Sequence, residues 1–217
     1  MPIKVELIDV MGSDLSIVNS ARVSFAKESK DMTGADERLI KYLASHKHMT
    51  PFRHNAIQLR CKAPIFLARQ LGKHQAGLTW NEVSRRYVAS EPEFYMPSGW
   101  RPVPENGIKQ GSGEGEVDIT VEDEQGQYDP YKEAVEVALA TYVHMLDAGV
   151  APEMARMVLP QSMITEWIWT GNLLAFAHVY KERSNPGAQL EARLFAYALE
   201  DAIKPAFPSG WEALMED

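Results

Sequence analysis

PIFLARQLGKHQAGLTWNEVSRRY, from Pro64 to Tyr87, opens apolar, turns cationic and closes on a polar and basic run. Pro64 suits the first turn of a helix, because its missing N–H is not needed there. On a helix running on from Pro64, Arg69 and Lys73 lie one turn apart, as do Gln70 and His74. The helix then ends in a cationic cluster. For an arbitrary set of such residues a solvated face is the commonest explanation. The following turn, NEVSRRY, places Glu82, Ser84, Arg85 and Arg86 together. It offers two guanidinium groups, a hydroxyl and backbone amides to a phosphate.

Working outward, HNAIQLRCKAP alternates Ile57, Leu59 and Cys61 with polar neighbours, the period of a half-buried strand. Residues Ile3 to Val10 also read as a strand, after which Asp14 is placed to cap a short helix through Val18 and Ala21. From Asp36, the residues Leu39, Ile40 and Leu43 recur at helical spacing until His46 to His48, ahead of Pro51. Downstream, residues 102–129 carry Gly107, Gly111, Gly113 and Gly115, several acids and little periodicity. They are expected to form an exposed insertion, with a short hairpin around Val117 to Val121 as one option. Helices are expected over Tyr131 to Ala148, from Pro152, over Asn172 to Arg183 and over Gln189 to Ile203. SMITEWIWT reads either as a strand or as the lead-in to the third of these.

Bulk properties narrow the classes. A chain of 217 residues with 45% hydrophobic and 24% charged residues is an ordinary globule. A single domain, 1–217, is expected. A net charge of −8 argues against coating nucleic acid, which relies on many Lys and Arg contacts to phosphate. One Cys permits no internal disulfide, and no apolar run approaches the ~20 residues of a membrane span. The N-terminal sequence has no signal-peptide pattern, so a reducing, cytoplasmic setting is expected.

The cationic stretch also resembles a known family. Flavin-dependent thymidylate synthases carry Arg-Gln, then Arg-His-Arg, then Asn-Glu-x-Ser-x-Arg-Tyr, and the matching letters are Arg69-Gln70, Lys73-His74-Gln75 and Asn81 to Tyr87. NSARVSF (Asn19 to Phe25) and HMTPFRH (His48 to His54) look like family elements upstream. EFYMP (Glu93 to Pro97), ARMVLP (Ala155 to Pro160), WTGN (Trp169 to Asn172), KER (Lys181 to Arg183) and AQLEAR (Ala188 to Arg193) follow in order.

The resemblance implies an α+β subunit with a mixed β-sheet flanked by helices, assembled as a homotetramer whose active sites combine residues of several subunits. It implies reductive methylation of dUMP to dTMP. Methylenetetrahydrofolate would supply the carbon, reduced FAD the reducing equivalents, and NADPH would regenerate the flavin. Carried over position by position, Gln70, Lys73, Glu82, Val83, Ser84, Arg85, Arg86, Arg156 and Arg183 contact dUMP. Thr50, Lys73, His74, Gln75, Glu82, Asn172 and His178 contact FAD. Arg183 is the catalytic position, where a fixed positive charge stabilises negative charge on the uracil ring. Asn172, Phe176, Val179 and Arg183 also share one helical face by spacing alone.

Simpler readings exist for each of these. Arg183 would complement a helix C-terminus, Arg156 would pair at the surface and His178 would be a satisfied core histidine. Cys61, in register with Ile57 and Leu59, reads as buried rather than as a nucleophile. No Gly-x-Gly-x-x-Gly fingerprint indicates a Rossmann site, and His46, His48 and His54 lack a recognised metal-ligand pattern. The sequence departs from the family at Lys73 and Gln75, at Arg53 where Glu is usual and at Leu174 where Arg is frequent. Those departures keep open C5 hydroxymethylation, methylation of another uridine nucleotide, and a non-catalytic flavin- or nucleotide-binding role.

Overall fold

Alternating apolar and polar side chains build one central sheet, and helices close over one of its faces. The computed structural model describes residues 2–88, 90–105, 111–124 and 126–216. Among them six strands form: β1 (Lys4–Met11), β2 (Ala56–Pro64), β3 (Leu78–Glu82), β4 (Val121–Asp123), β5 (Gly126–Tyr128) and β6 (Ile164–Gly171). The central sheet has the order β1-β2-β6-β3, while β4 and β5 make a separate hairpin. The helices are α1 (Asp14–Arg22), α2 (Gly34–Ser45), α3 (Ile65–Leu71), α4 (Pro130–Asp147), α5 (Pro152–Ala155), α6 (Leu173–Ser184), α7 (Leu190–Ile203) and α8 (Pro208–Met215).

The α+β class is as expected, but the sheet is antiparallel at every pairing rather than mixed. β2, α3 and β3 form a strand-helix-strand unit whose two strands run the same way. β6 is slotted between them, antiparallel to both. This is also what SMITEWIWT becomes: a central strand, paired on both edges.

Register decides the core. Leu59 faces Trp169 and Cys61 faces Trp167 across β2 and β6, all four buried. Trp167 stacks on Phe195 of α7 at 5.8 Å, and Trp169 meets Phe176 of α6 edge-on at 5.4 Å. Burial of each such large side chain stabilises the fold by about 1.5–3 kcal/mol. The opposite face keeps Gln58, Arg60, Lys62 and Glu166 partly exposed, with an Arg60–Glu166 ion pair at 3.5 Å.

Three local expectations need correction. Asp14 does not cap its own helix: Ser13 does, in a capping box with Ser16. The buried Asp14 carboxylate instead accepts from Ser209 N at 2.7 Å and Gly210 N at 2.9 Å, holding the start of α8. A Cβ on Gly210 would lie 2.7 Å from Ile17 Cδ1, so glycine lets α8 seat against α1. The second helix begins at Gly34, two residues before Asp36, because Thr33 is its N-cap and Asp36 completes the capping box. The short hairpin falls at β4–β5, while Val117 bridges to Trp100.

Of residues 102–129, Gly107 lies outside the described residues, and most of the described ones are exposed. The segment is tied to α7 through Arg101, just ahead of it, whose Nη2 donates to both oxygens of the buried Glu191 at 2.9 Å and whose Nε donates to Ser112 Oγ at 2.8 Å. Among the described residues no helix is long and apolar enough to cross a membrane.

Candidate active site

α3 is shorter than the sequence suggested. It stops at Leu71, with Gly72 as its C-cap, so Lys73 and His74 leave the helix and are not stacked one turn above Arg69 and Gln70. The chain turns through residues 72–77, where Gly77 adopts φ +74°, and re-enters the sheet as β3. This turn folds Arg69, Lys73, Trp80 and Glu82 around one groove of about 420 Å³. Gln70 points elsewhere, donating to Gln189 Oε1 at 2.7 Å.

Trp80 forms the floor of that groove. Its ring stacks on Trp167 at 4.2 Å, and its Nε1 donates to Glu82 Oε2 at 3.3 Å. Thr165 Oγ1 donates to the other Glu82 oxygen at 2.7 Å. The Glu82 carboxylate is thus held from two sides while remaining open to solvent. Trp80 and Thr165 were not among the expected site residues. Trp80 lies inside the cationic stretch and could have been noticed, whereas Thr165 is joined to Glu82 only by the sheet.

The basic turn after β3 does not stay gathered around Glu82. Arg85 donates to the Ser90 carbonyl, and Arg86 N donates to Ser84 Oγ at 3.3 Å. Arg86 Nε approaches Glu153 Oε2 at 3.7 Å, with its guanidinium 5.2 Å from the Tyr87 ring centroid. Arg156 Nε donates to the Glu153 carbonyl at 3.3 Å. Glu153 of α5 therefore brings together two arginines 70 positions apart in the sequence, both exposed. Val83 is exposed beside them in the chain, its N–H donating to the Glu166 carbonyl at 2.9 Å.

A second cluster forms along α6. Arg183 Nε donates to His74 Nε2 at 2.9 Å, and the His74 and His178 rings meet edge-on at 6.0 Å. Partial burial, then the positive charge of Arg183, holds His74 below its ordinary value. Asn172 is the N-cap of α6, its Oδ1 accepting from Ala175 N at 2.9 Å. Asn172 and Arg183 thus stand at the two ends of the helix, with Phe176 and Val179 buried between them. A Cβ on Gly77 would sit 3.0 Å from Asn172 Nδ2, so glycine leaves that amide open. Thr50 is exposed on a 3₁₀ turn, Thr50–Arg53, that the buried Asn55 links to α6 by accepting from Leu173 N at 2.7 Å. Gln75 is exposed on the 72–77 turn, Arg53 is exposed, and Leu174 is partly buried against the core.

The chain therefore gathers three groups: the groove with Arg69, Lys73 and Glu82; the Arg86–Arg156 pair; and His74, Asn172, His178 and Arg183 along α6. Among the described residues no hydrogen bond or ion pair joins the arginine pair to Arg183. The donor set fits a flavin in kind. Imidazole rings, a free amide edge and nearby cations suit a planar ring with carbonyl acceptors and a diphosphate. Cys61 is fully buried, and desolvation pushes its thiol far above the usual range, which leaves no thiolate. His46 stacks on Tyr42 at 3.9 Å, and among the described residues no three His, Cys, Asp or Glu side chains converge as metal ligands do.

Comparison with known proteins gives a consistent result. The family model for thymidylate synthase complementing protein matches residues 6–209. A flavin-dependent thymidylate synthase from Thermus thermophilus is 38% identical over 212 residues, covering 98% of this chain and 75% of that one. One from Thermotoga neapolitana is 36% identical over 217 residues, covering 98% and 90%. Among solved structures, the UMP/dUMP methylase PolB from Streptomyces cacaoi bound with 5-Br dUMP superposes with a TM-score of 0.81. It is 31% identical, covering 98% of this chain and 94% of that one.

Proposed function

We propose a function from the premise that the chain belongs to the thymidylate synthase complementing protein family, alongside flavin-dependent thymidylate synthases. The enzyme methylates C5 of dUMP to give dTMP, with a bound flavin, FAD, as its redox cofactor. One observation carries the reading most directly. Arg183, the position expected to meet the pyrimidine, donates to the expected flavin contact His74, 109 positions earlier in the chain, whose ring in turn meets that of His178.

The residues divide the work. Arg86 and Arg156, with Ser84, receive the nucleotide phosphate through charge-assisted hydrogen bonds. Lys73, with Arg69 alongside, adds positive charge at the groove, while Glu82, fixed by Thr165 and Trp80, accepts from a ligand N–H or O–H. Arg183 stabilises negative charge that develops on the uracil ring as C5 becomes nucleophilic. His74, His178, Asn172 and Thr50 hold the flavin, whose reduced form supplies the reducing equivalents that complete the methyl group. Methylenetetrahydrofolate is the carbon donor and NADPH the reductant. The buried Cys61 takes no part.

The active unit is proposed to be a homotetramer. Exposed apolar side chains support that reading: Val137 and Val143 on α4, and Val23 and Phe25 within the NSARVSF element. Subunit association would bring residues from different chains into one site, which suits an arginine pair that, among the described residues, no hydrogen bond or ion pair joins to Arg183.

Incubation with dUMP, methylenetetrahydrofolate, NADPH and FAD, followed by mass analysis of the nucleotide, tests the reaction. A product heavier by one methylene unit is expected. A product heavier by CH₂O would mean hydroxymethylation, and no product with flavin retained would mean a binding protein. UMP belongs in the same assay, because the similar PolB is a UMP/dUMP methylase. Arg156→Ala and Arg183→Ala are each expected to weaken dUMP binding by about 1.5–3 kcal/mol. Unchanged affinity in both would refute their assignment.

A further inference from the structure

The contact between Arg183 and His74 has a chemical constraint built into it. A guanidinium only donates hydrogen bonds, and it stays protonated at any pH a protein survives. Arg183 Nε donates to His74 Nε2 at 2.9 Å, so that nitrogen must be the bare acceptor. The imidazole is therefore neutral, with its proton on Nδ1. Among the described residues Arg183 makes no other hydrogen bond, which leaves both terminal nitrogens of its guanidinium unengaged.

We propose that His74 is a positioning residue for Arg183: its bare Nε2 binds the Arg183 Nε–H and so orients the terminal nitrogens for a pyrimidine carrying negative charge. The inference rests on the assignment of Arg183 to dUMP. It gives His74 a task separate from flavin contact, because the hydrogen bond is made wholly between two side chains of this chain. A long arginine side chain loses rotamer entropy when it is fixed, and a contact within the chain offsets part of that loss.

The surroundings favour the neutral ring. Partial burial acts first, then the charge of Arg183 and the neighbouring His178, while Glu182 acts in the opposite sense. These titratable groups face the imidazole from α6, and Lys73 precedes it on its own segment. Protonation of His74 would remove the acceptor and set imidazolium against guanidinium. Because the folded-state value lies below the ordinary 6.5, the pair is intact above that value. It is lost as pH falls through the depressed one.

Two measurements on the flavin-loaded protein test this. The first is NMR of protein labelled with ¹⁵N-histidine, without nucleotide. His74 is expected as the Nδ1–H tautomer titrating below its ordinary value, and Arg183→Ala should move that titration upward. An Nε2–H tautomer, or a titration indifferent to Arg183→Ala, overturns the proposal.

The second measurement is dUMP affinity against pH, compared at equal flavin occupancy set by absorbance, because His74 is also an expected flavin contact. Wild type should lose affinity on acidification. His74→Gln, whose side-chain oxygen can still accept, should bind dUMP more tightly than His74→Ala at neutral pH and lose the acid step. His74→Ala should bind about tenfold more weakly and add nothing further in an Arg183→Ala background. Equal losses in His74→Gln and His74→Ala would overturn the positioning role. If the NMR behaves as expected but Arg183→Ala leaves dUMP affinity unchanged, the nucleotide assignment of Arg183 fails instead, and with it this use of the pair.

Discussion

Cys61 shows how one residue can exclude a mechanism. It lies on β2 opposite Trp167, fully buried, and its thiol is pushed far up by desolvation. A nucleophilic thiol needs access to solvent and a positive neighbour, and this one has neither. Cys61→Ala is expected to retain turnover while destabilising the fold by about 1 kcal/mol, the typical size of a modest core change. Thermal melts beside turnover assays check both parts. Lost turnover in a variant that melts as expected would reinstate a thiol mechanism. Glu82 makes the converse point: the sequence grouped it with Ser84, Arg85 and Arg86 in one turn, but only the fold supplied Thr165 and Trp80 to hold its carboxylate.

At the scale of elements, the site depends on α3 ending early and β3 pairing closely with β6. Leu78 pairs with Gly171 at the end of that ladder. A Cβ on Gly171 would lie 2.4 Å from Leu78 Cδ2 and 2.8 Å from the Gly77 carbonyl oxygen. The leucine tip can yield, but the backbone carbonyl cannot move without shifting the turn that carries His74 and Gly77. Gly171→Ala is therefore expected to cost about 1–3 kcal/mol, as overpacking does, and to lower flavin retention. Denaturant melts and absorbance after desalting would measure the two effects. A variant with wild-type stability and flavin content would show that the turn adapts without consequence.

At the scale of the whole molecule, the exposed surface of α4 sets the expectation. Only Val135 and Tyr142 on that helix are buried, whereas Val137 is 58% and Val143 is 43% exposed. The proposed homotetramer would cover such side chains, and introducing charge there should oppose association. Sedimentation velocity is expected to report a tetramer for the wild type and smaller species for Val137→Glu combined with Val143→Glu. Loss of activity in parallel would support shared sites. A wild-type monomer with full activity would overturn the assembly.

The sequence by itself determined the element types over most of the chain, the burial of Cys61 and the resemblance on which the family reading stood. Those are local properties: periodicity follows from the 3.6- and 2-residue repeats, and ordered motifs survive in the letters. It left the α3 terminus wrong, because a cationic run continues past Leu71 as readily in a turn as in a helix. It also missed α8, whose start is held by Asp14, some 195 residues earlier. The tertiary structure alone decided that β6 separates β2 from β3, that Glu153 joins Arg86 to Arg156 and that His74 accepts from Arg183. Each of these is a contact between distant segments, fixed by which faces can be buried together, and no local pattern encodes that pairing.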